Sequence, residues 1–136
     1  MDREVKDKLI AKAREVRKNA YVPYSKFPIG AAILTEDNKV FTGCNIENAA
    51  YGLTNCAERT AIYKAIATGY RKFKAIAIIA DTEKPITPCG SCRQVLLEFG
   101  TNIKVIMTNF NGDEEIKTIS ELLPSSFSRE DIKSEE

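Results

Sequence analysis

Three cysteines and one glutamate carry the chemistry open to this chain. Cys56-Ala-Glu58 and Pro88-Cys-Gly-Ser-Cys92 each place thiols where a helical pattern begins. Two thiolates at C-x-x-C spacing can grip one Zn2+, and a helix N-terminus stabilises them with positive potential and free amides. A thioredoxin-like redox pair is the rival reading of Cys89 and Cys92. Such a pair usually follows the first strands of its fold directly, whereas here a further cysteine, Cys56, stands at a separate helix start. Together the motifs offer three zinc ligands and one acid/base. A structural zinc site closes with a fourth protein ligand. Cys44 is the remaining sulfur for that place, and its position at a strand end suits a buried, inert thiol. With Cys44 elsewhere, the fourth position is open to water beside a glutamate, the arrangement for hydrolysis. Taken singly, each piece has a plainer reading: Asn55 and Glu58 as a helix-capping pair, Arg59 as a solvated helix charge.

Composition narrows the choice. Histidine is absent, which excludes a Ser-His-Asp triad, a Cys-His protease and any histidine-ligated metal. Lys+Arg 20 against Asp+Glu 19 leaves a net charge of +1. No broad field favours phosphate backbones or anionic membranes, so neither nucleic acid nor membrane is an expected partner. No run approaches roughly 18 apolar residues and the N-terminus is charged, so neither a membrane span nor a signal peptide is expected. The expected compartment is cytoplasmic, where cysteines more often serve metal or catalysis than a disulfide framework. A length of 136 residues, 43% hydrophobic, suits one domain over residues 1–136, with the last few positions frayed.

The elements that must position these groups are legible as periods and breaks. Val5, Leu9, Ala13, Val16 and Ala20 mark one face of an amphipathic helix over residues 2–20. Residues 21–28, with two prolines, form an ordered loop. Segments 29–35 and 39–43 form a hairpin around a polar turn, and residues 44–55 a second loop. A helix follows over 55–68, closed by Gly69, then a buried strand over 74–80. A helix over 89–99, closed by Gly100, leads to a strand over 103–108 and a short edge strand over 114–119. Helices alternating with apolar strands imply a layered α/β sandwich around one mixed sheet. Positions i and i+2 of a helix point about 200° apart. Cys56 and Glu58 therefore share a site only if Cys56 lies in the first turn, with Asn55 as N-cap.

These motifs resemble those of the zinc nucleoside and nucleobase deaminases. Tyr24-Ser-Lys-Phe-Pro-Ile-Gly-Ala31, Gly43-Cys-Asn-Ile-Glu-Asn48 and Cys56-Ala-Glu-Arg59 fall in the expected order within roughly residues 20–127. They narrow the resemblance to the cytidine deaminase family, in its short form with three cysteine ligands. The resemblance implies a three-layer α-β-α sandwich around a mixed sheet of about five strands. It implies one Zn2+ per subunit on Cys56, Cys89 and Cys92, and hydrolysis of cytidine or deoxycytidine to uridine or deoxyuridine and ammonia. Glu58 would pass protons from the attacking water to ring N3 and the leaving amine. Three thiolates leave the site net negative; two helix N-termini and Arg59, donating to a ligand sulfur, would offset that charge.

Further implications concern the substrate. Asn45 and Glu47 match positions that hold ribose hydroxyls, with ordinary loop polarity as the plainer reading. Phe27 matches an aromatic that packs on the base, with core packing as its rival. Tyr51 and Phe127 resemble residues lent to a neighbouring subunit's site in a homotetramer, and pyrimidine salvage is the family's role. A blasticidin-S-type deaminase shares the zinc motifs. A polynucleotide editor fits the neutral charge poorly, and a non-catalytic zinc module would need Cys44 to complete its tetrahedron.

Overall fold

The computed structural model describes residues 1–133. Helix α1 (Arg3–Val16) starts at Asp2, whose carboxylate accepts the Glu4 N–H at 3.1 Å. Leu9 and Ala13 form its buried stripe. It ends earlier than its apolar period suggests. The chain tightens into a 3-10 turn over Arg17–Asn19, and Ala20 is extended. Tyr21 has left the helix to bridge Ile46, its N–H bonding the Asn45 carbonyl at 3.0 Å.

Five strands form one mixed sheet: β1 (Ile29–Thr35), β2 (Val40–Cys44), β3 (Phe73–Ala80), β4 (Lys104–Asn109) and β5 (Glu114–Thr118). Their order is β2-β1-β3-β4-β5. β1 is antiparallel to both β2 and β3, β3 and β4 are parallel, and β5 returns antiparallel along β4. β2 and β3 thus point the same way. Helix α2 (Ala57–Ala67) crosses from one to the other, and α3 (Gly90–Glu98) crosses from β3 to β4.

Alternate strand residues divide the core between two faces. Ala31, Ile33, Ile76, Ile78, Val105 and Met107 pack with Ala61 and Ile62 of α2 and Leu96 of α3. Ala32, Leu34, Ala77, Ile79 and Ile106 pack with Leu9 and Ala13 of α1. The result is the expected three-layer sandwich. Two glycines set how closely the outer layers approach. A Cβ on Gly30 would lie 1.9 Å from the Ala13 carbonyl oxygen, and one on Gly43 would lie 2.4 Å from the Ala61 nitrogen. Only glycine lets α1 and α2 rest directly on strand backbone there.

The C-terminal part is more structured than its polar composition suggests. Thr118 and Glu121 form a reciprocal capping box that starts α4 (Ile119–Leu122), and Ile119 is fully buried. The sequence signal is the Thr-x-x-Glu pattern. A short helix α5 (Arg129–Lys133) follows. The expected fraying of the final positions lies outside the described residues.

Candidate active site

α2 and α3 begin near the end of the sheet where β2 and β3 finish. Cys44 pairs with Gly30 and Ala80 with Ile29, so the carboxyl ends of both strands flank the start of β1. Crevices outside the carboxyl ends of strands are where α/β proteins place ligands. Cys56 is the N-cap of α2 (φ −75°, ψ 157°) and Cys89 the N-cap of α3 (φ −68°, ψ 166°). The carbonyl of each accepts the first helical bond, from the Thr60 and Arg93 N–H groups at 3.0 Å.

This corrects the expected cap at Asn55. The Asn55 N–H and C=O both pair with Ile46 at 2.9 Å, and this antiparallel bridge keeps the residue extended. Its side-chain amide donates to Thr60 Oγ1 at 3.0 Å. Glu58 therefore occupies the second helical position, not the third, and no Asn55–Glu58 capping box forms. A cap residue and a second-position residue both sit at the helix end, which resolves the angular conflict between Cys56 and Glu58.

Cys56 Sγ lies 3.7 Å from Cys89 Sγ, which lies 3.3 Å from Cys92 Sγ. The three sulfurs all fall within 4.8 Å of one another. A tetrahedral zinc ion with bonds of about 2.3 Å sets its sulfurs about 3.7–3.8 Å apart. The trio is close to that spacing and supplies the soft thiolate donors that zinc accepts. All four cysteines are free thiols. Cys44 is buried at the end of β2 and is not part of the converging trio. Burial raises its pKa, against an opposing pull from Lys64.

Charge at the cluster is unevenly distributed. Arg59 Nη2 donates to Cys56 Sγ at 3.2 Å. Hydrogen bonds from Cys92 first, then from Arg59 and Cys89, outweigh burial and lower the Cys56 pKa to about 5. Cys92, fully buried, is pushed up by its bond to Cys56 and by desolvation. Glu58 is 4% exposed, and its Oε1 is buried with no hydrogen-bond partner among the described residues. Burial raises its pKa to about 7, with the nearby negative Cys56 adding to the shift.

Asn45, Glu47, Phe27 and Tyr51 gather on two loops at the same end of the sheet, whereas Phe127 lies in the chain between α4 and α5. Asn45 is buried, its amide donating to the Phe27 carbonyl and accepting from the Ile29 N–H, both at 2.9 Å. Glu47 Oε1 accepts from the Tyr24 and Ser25 N–H groups at 3.0 Å, and Oε2 accepts from the Ser25 hydroxyl. The hydroxyl bond leads the causes that hold the Glu47 pKa below its ordinary value. Phe27 is 37% exposed and lies outside both buried clusters. Tyr51 is 77% exposed and meets Tyr24 edge-on, with centroids 6.3 Å apart; Phe127 is 63% exposed. Tyr24, Ser25, Glu47, Tyr51 and Thr54 line a cavity of about 380 Å³. A larger cavity of about 650 Å³ lies at the other end of the sheet, where β3 and β4 begin, away from the thiols. The reading of the sequence did not single out Tyr24 and Ser25 for holding Glu47. A hydroxyl between two prolines is the signal that could have found Ser25.

Residues 3–108 match the family model for the cytidine and deoxycytidylate deaminase zinc-binding region. The cytidine deaminase of Sporosarcina psychrophila is 57% identical over 127 residues, covering 93% of each chain. The chain belongs to the cytidine deaminase family. The cytidine deaminase of Halalkalibacterium halodurans is 53% identical over 97% of this chain and 98% of its own. The crystal structure of the Burkholderia pseudomallei cytidine deaminase superimposes with a TM-score of 0.88. It is 50% identical, and the match covers 93% of this chain and all of that one. Its place in this zinc-dependent family agrees with the donor chemistry of the thiol trio.

Proposed function

We propose that this chain is a zinc-dependent deaminase that hydrolyses cytidine, and deoxycytidine, to uridine or deoxyuridine and ammonia. One observation carries the proposal. Three thiols converge at two helix starts beside a buried Glu58 whose Oε1 has no partner among the described residues. Cys56, Cys89 and Cys92 hold the ion in this reading, and the family's zinc-binding description supports it. Bound zinc supplies Lewis acidity, which makes water a nucleophile near neutral pH.

Glu58 moves the protons. Its carboxylate takes one from the water that attacks C4 of the pyrimidine and delivers it to ring N3; it then takes the second from the new C4 hydroxyl and passes it to the amine, which leaves as ammonia as the C4–N bond breaks and the carbonyl forms. Burial raises the Glu58 pKa in the metal-free chain, the direction that favours a group able to donate as well as accept near neutral pH. Arg59 offsets the surplus negative charge of three thiolates through its bond to Cys56. Asn45 and Glu47 hold the ribose hydroxyls, and Phe27 packs against the base. Asn45 keeps one amide hydrogen and one oxygen lone pair free for a sugar after its two backbone bonds.

Exposed Tyr21, Tyr24, Ile46, Tyr51 and Leu53 make the rim of this site apolar. Patches of that kind mark interfaces, which supports a homotetramer in which Tyr51 and Phe127 complete a neighbouring site. Pyrimidine salvage in the cytoplasm is the setting that follows. The test is ammonia release by the purified protein from cytidine, deoxycytidine and free cytosine, before and after zinc is stripped. Release from both nucleosides that stops on stripping and returns with added zinc is expected. No release from either nucleoside by zinc-loaded protein would refute the proposal.

A further inference from the structure

One guanidinium ties the turn that carries Cys89 to the C-terminal part of the chain. Arg93 follows Cys92 directly in α3. Its Nε donates to the Pro88 carbonyl at 2.9 Å and its Nη1 to the Leu122 carbonyl at 2.8 Å. Pro88 is buried, and its carbonyl lies in the same rigid peptide plane as the Cys89 nitrogen. Pinning that oxygen therefore fixes the plane from which the Cys89 side chain projects. Cys92 is oriented by the helix that contains it, whereas Cys89, as cap, is half outside and needs an external restraint.

Leu122 is a firm anchor. The fully buried Ile119 and the Thr118–Glu121 capping box fix α4, and the Ile119 N–H bonds the Ile103 carbonyl at 2.9 Å. We propose that Arg93 is a positioning residue for the metal site. It locks the Pro88–Cys89 peptide to α4, so that the C-terminal segment braces the zinc-binding turn. The inference rests on the zinc reading given above and is independent of which pyrimidine is the substrate.

The experiment follows zinc release from the loaded protein to a chromogenic chelator, alongside kcat per bound zinc and KM for cytidine. Residues that orient metal ligands typically account for 10–100-fold in metal affinity or activity. Arg93→Ala is expected to release zinc about 10-fold faster, with kcat per zinc lowered and KM near that of the parent chain. Arg93→Lys, able to reach one carbonyl, recovers part of the loss. Glu121→Ala removes one side of the capping box, loosens α4 and speeds release to a smaller extent. That effect disappears in the Arg93→Ala background, because the two changes act through one link.

Release and kcat per zinc unchanged in Arg93→Ala, even with a lowered melting temperature, would overturn the proposal. So would a Glu121→Ala effect of equal size with and without Arg93. If Arg93→Ala does not fold, Arg93→Lys and Glu121→Ala decide, and parental release rates in both overturn it. A chain that holds zinc yet leaves cytidine intact would sink the functional reading, while the release comparison would still test Arg93.

Discussion

The thiol cluster and the Tyr21–Pro28 loop lie at the same end of the sheet, yet they are held by different means. Cys56, Cys89 and Cys92 sit on the first turns of two helices whose inner faces, Ala61, Ile62 and Leu96, are fully buried. The loop is pinned by a few bonds from Asn45 and Glu47 to its backbone and leaves its aromatic rings exposed. Groups that must meet a reacting atom stand on rigid elements, where small misplacements are costly. The groups proposed to meet the sugar and base stand on a surface whose aromatic rings are exposed.

Changes at the thiol end should therefore act on metal and rate, and changes at the loop should act on binding. The largest effect is expected from Cys92→Ala, which removes a buried thiol of the trio proposed to hold zinc. The variant should purify without stoichiometric zinc and show no ammonia release, as metal analysis and a coupled assay would reveal. Retained zinc at full activity would break the distinction.

Glu58→Gln comes next in size, read as stability of the zinc-stripped chain. Between the ordinary value of 4.5 and about 7, the folded chain holds a proton that the unfolded chain has lost. Stability accordingly falls as pH rises through that window. The variant lacks this penalty and should be more stable than the parent at pH 8, by on the order of 3 kcal/mol, and so melt higher, with the difference gone at pH 4. An equal melting temperature at both pH values would show that Glu58 is not a strained acid.

Arg59→Ala should lower kcat about 10–100-fold at unchanged zinc content, and a parental rate would show that its bond to Cys56 is incidental. Glu47→Ala should raise KM on the order of 10-fold while kcat changes little. Because the Glu47 carboxyl stays ionised below its ordinary range, KM of the parent chain should not climb between pH 7 and pH 5. A fall in kcat alone would place Glu47 with the thiol end.

What the sequence disclosed follows the same division. The converging thiols announce themselves by residue type and spacing, and apolar periods locate the helices and core strands that carry them. The cap of α2 was misplaced by one residue because Asn and Cys stand side by side. What decides between them is a pairing of Asn55 with Ile46 across the loop, which no local pattern records. The tie from Arg93 to Pro88 and Leu122 and the grip of Glu47 on the Tyr24 and Ser25 amides were hidden for a related reason. Their partners are backbone groups, identical at every residue, so the acceptor or donor leaves no mark in the sequence. Thr118 and Glu121 did carry a readable capping signal, obscured by the polar stretch that follows.

Deamination depends most directly on the carboxylate beside the three sulfurs. Turnover of cytidine by Glu58→Gln, measured at full zinc occupancy, should fall by about 10²–10⁴-fold with the fold and metal content unchanged. Turnover near that of the parent chain would contradict that dependence.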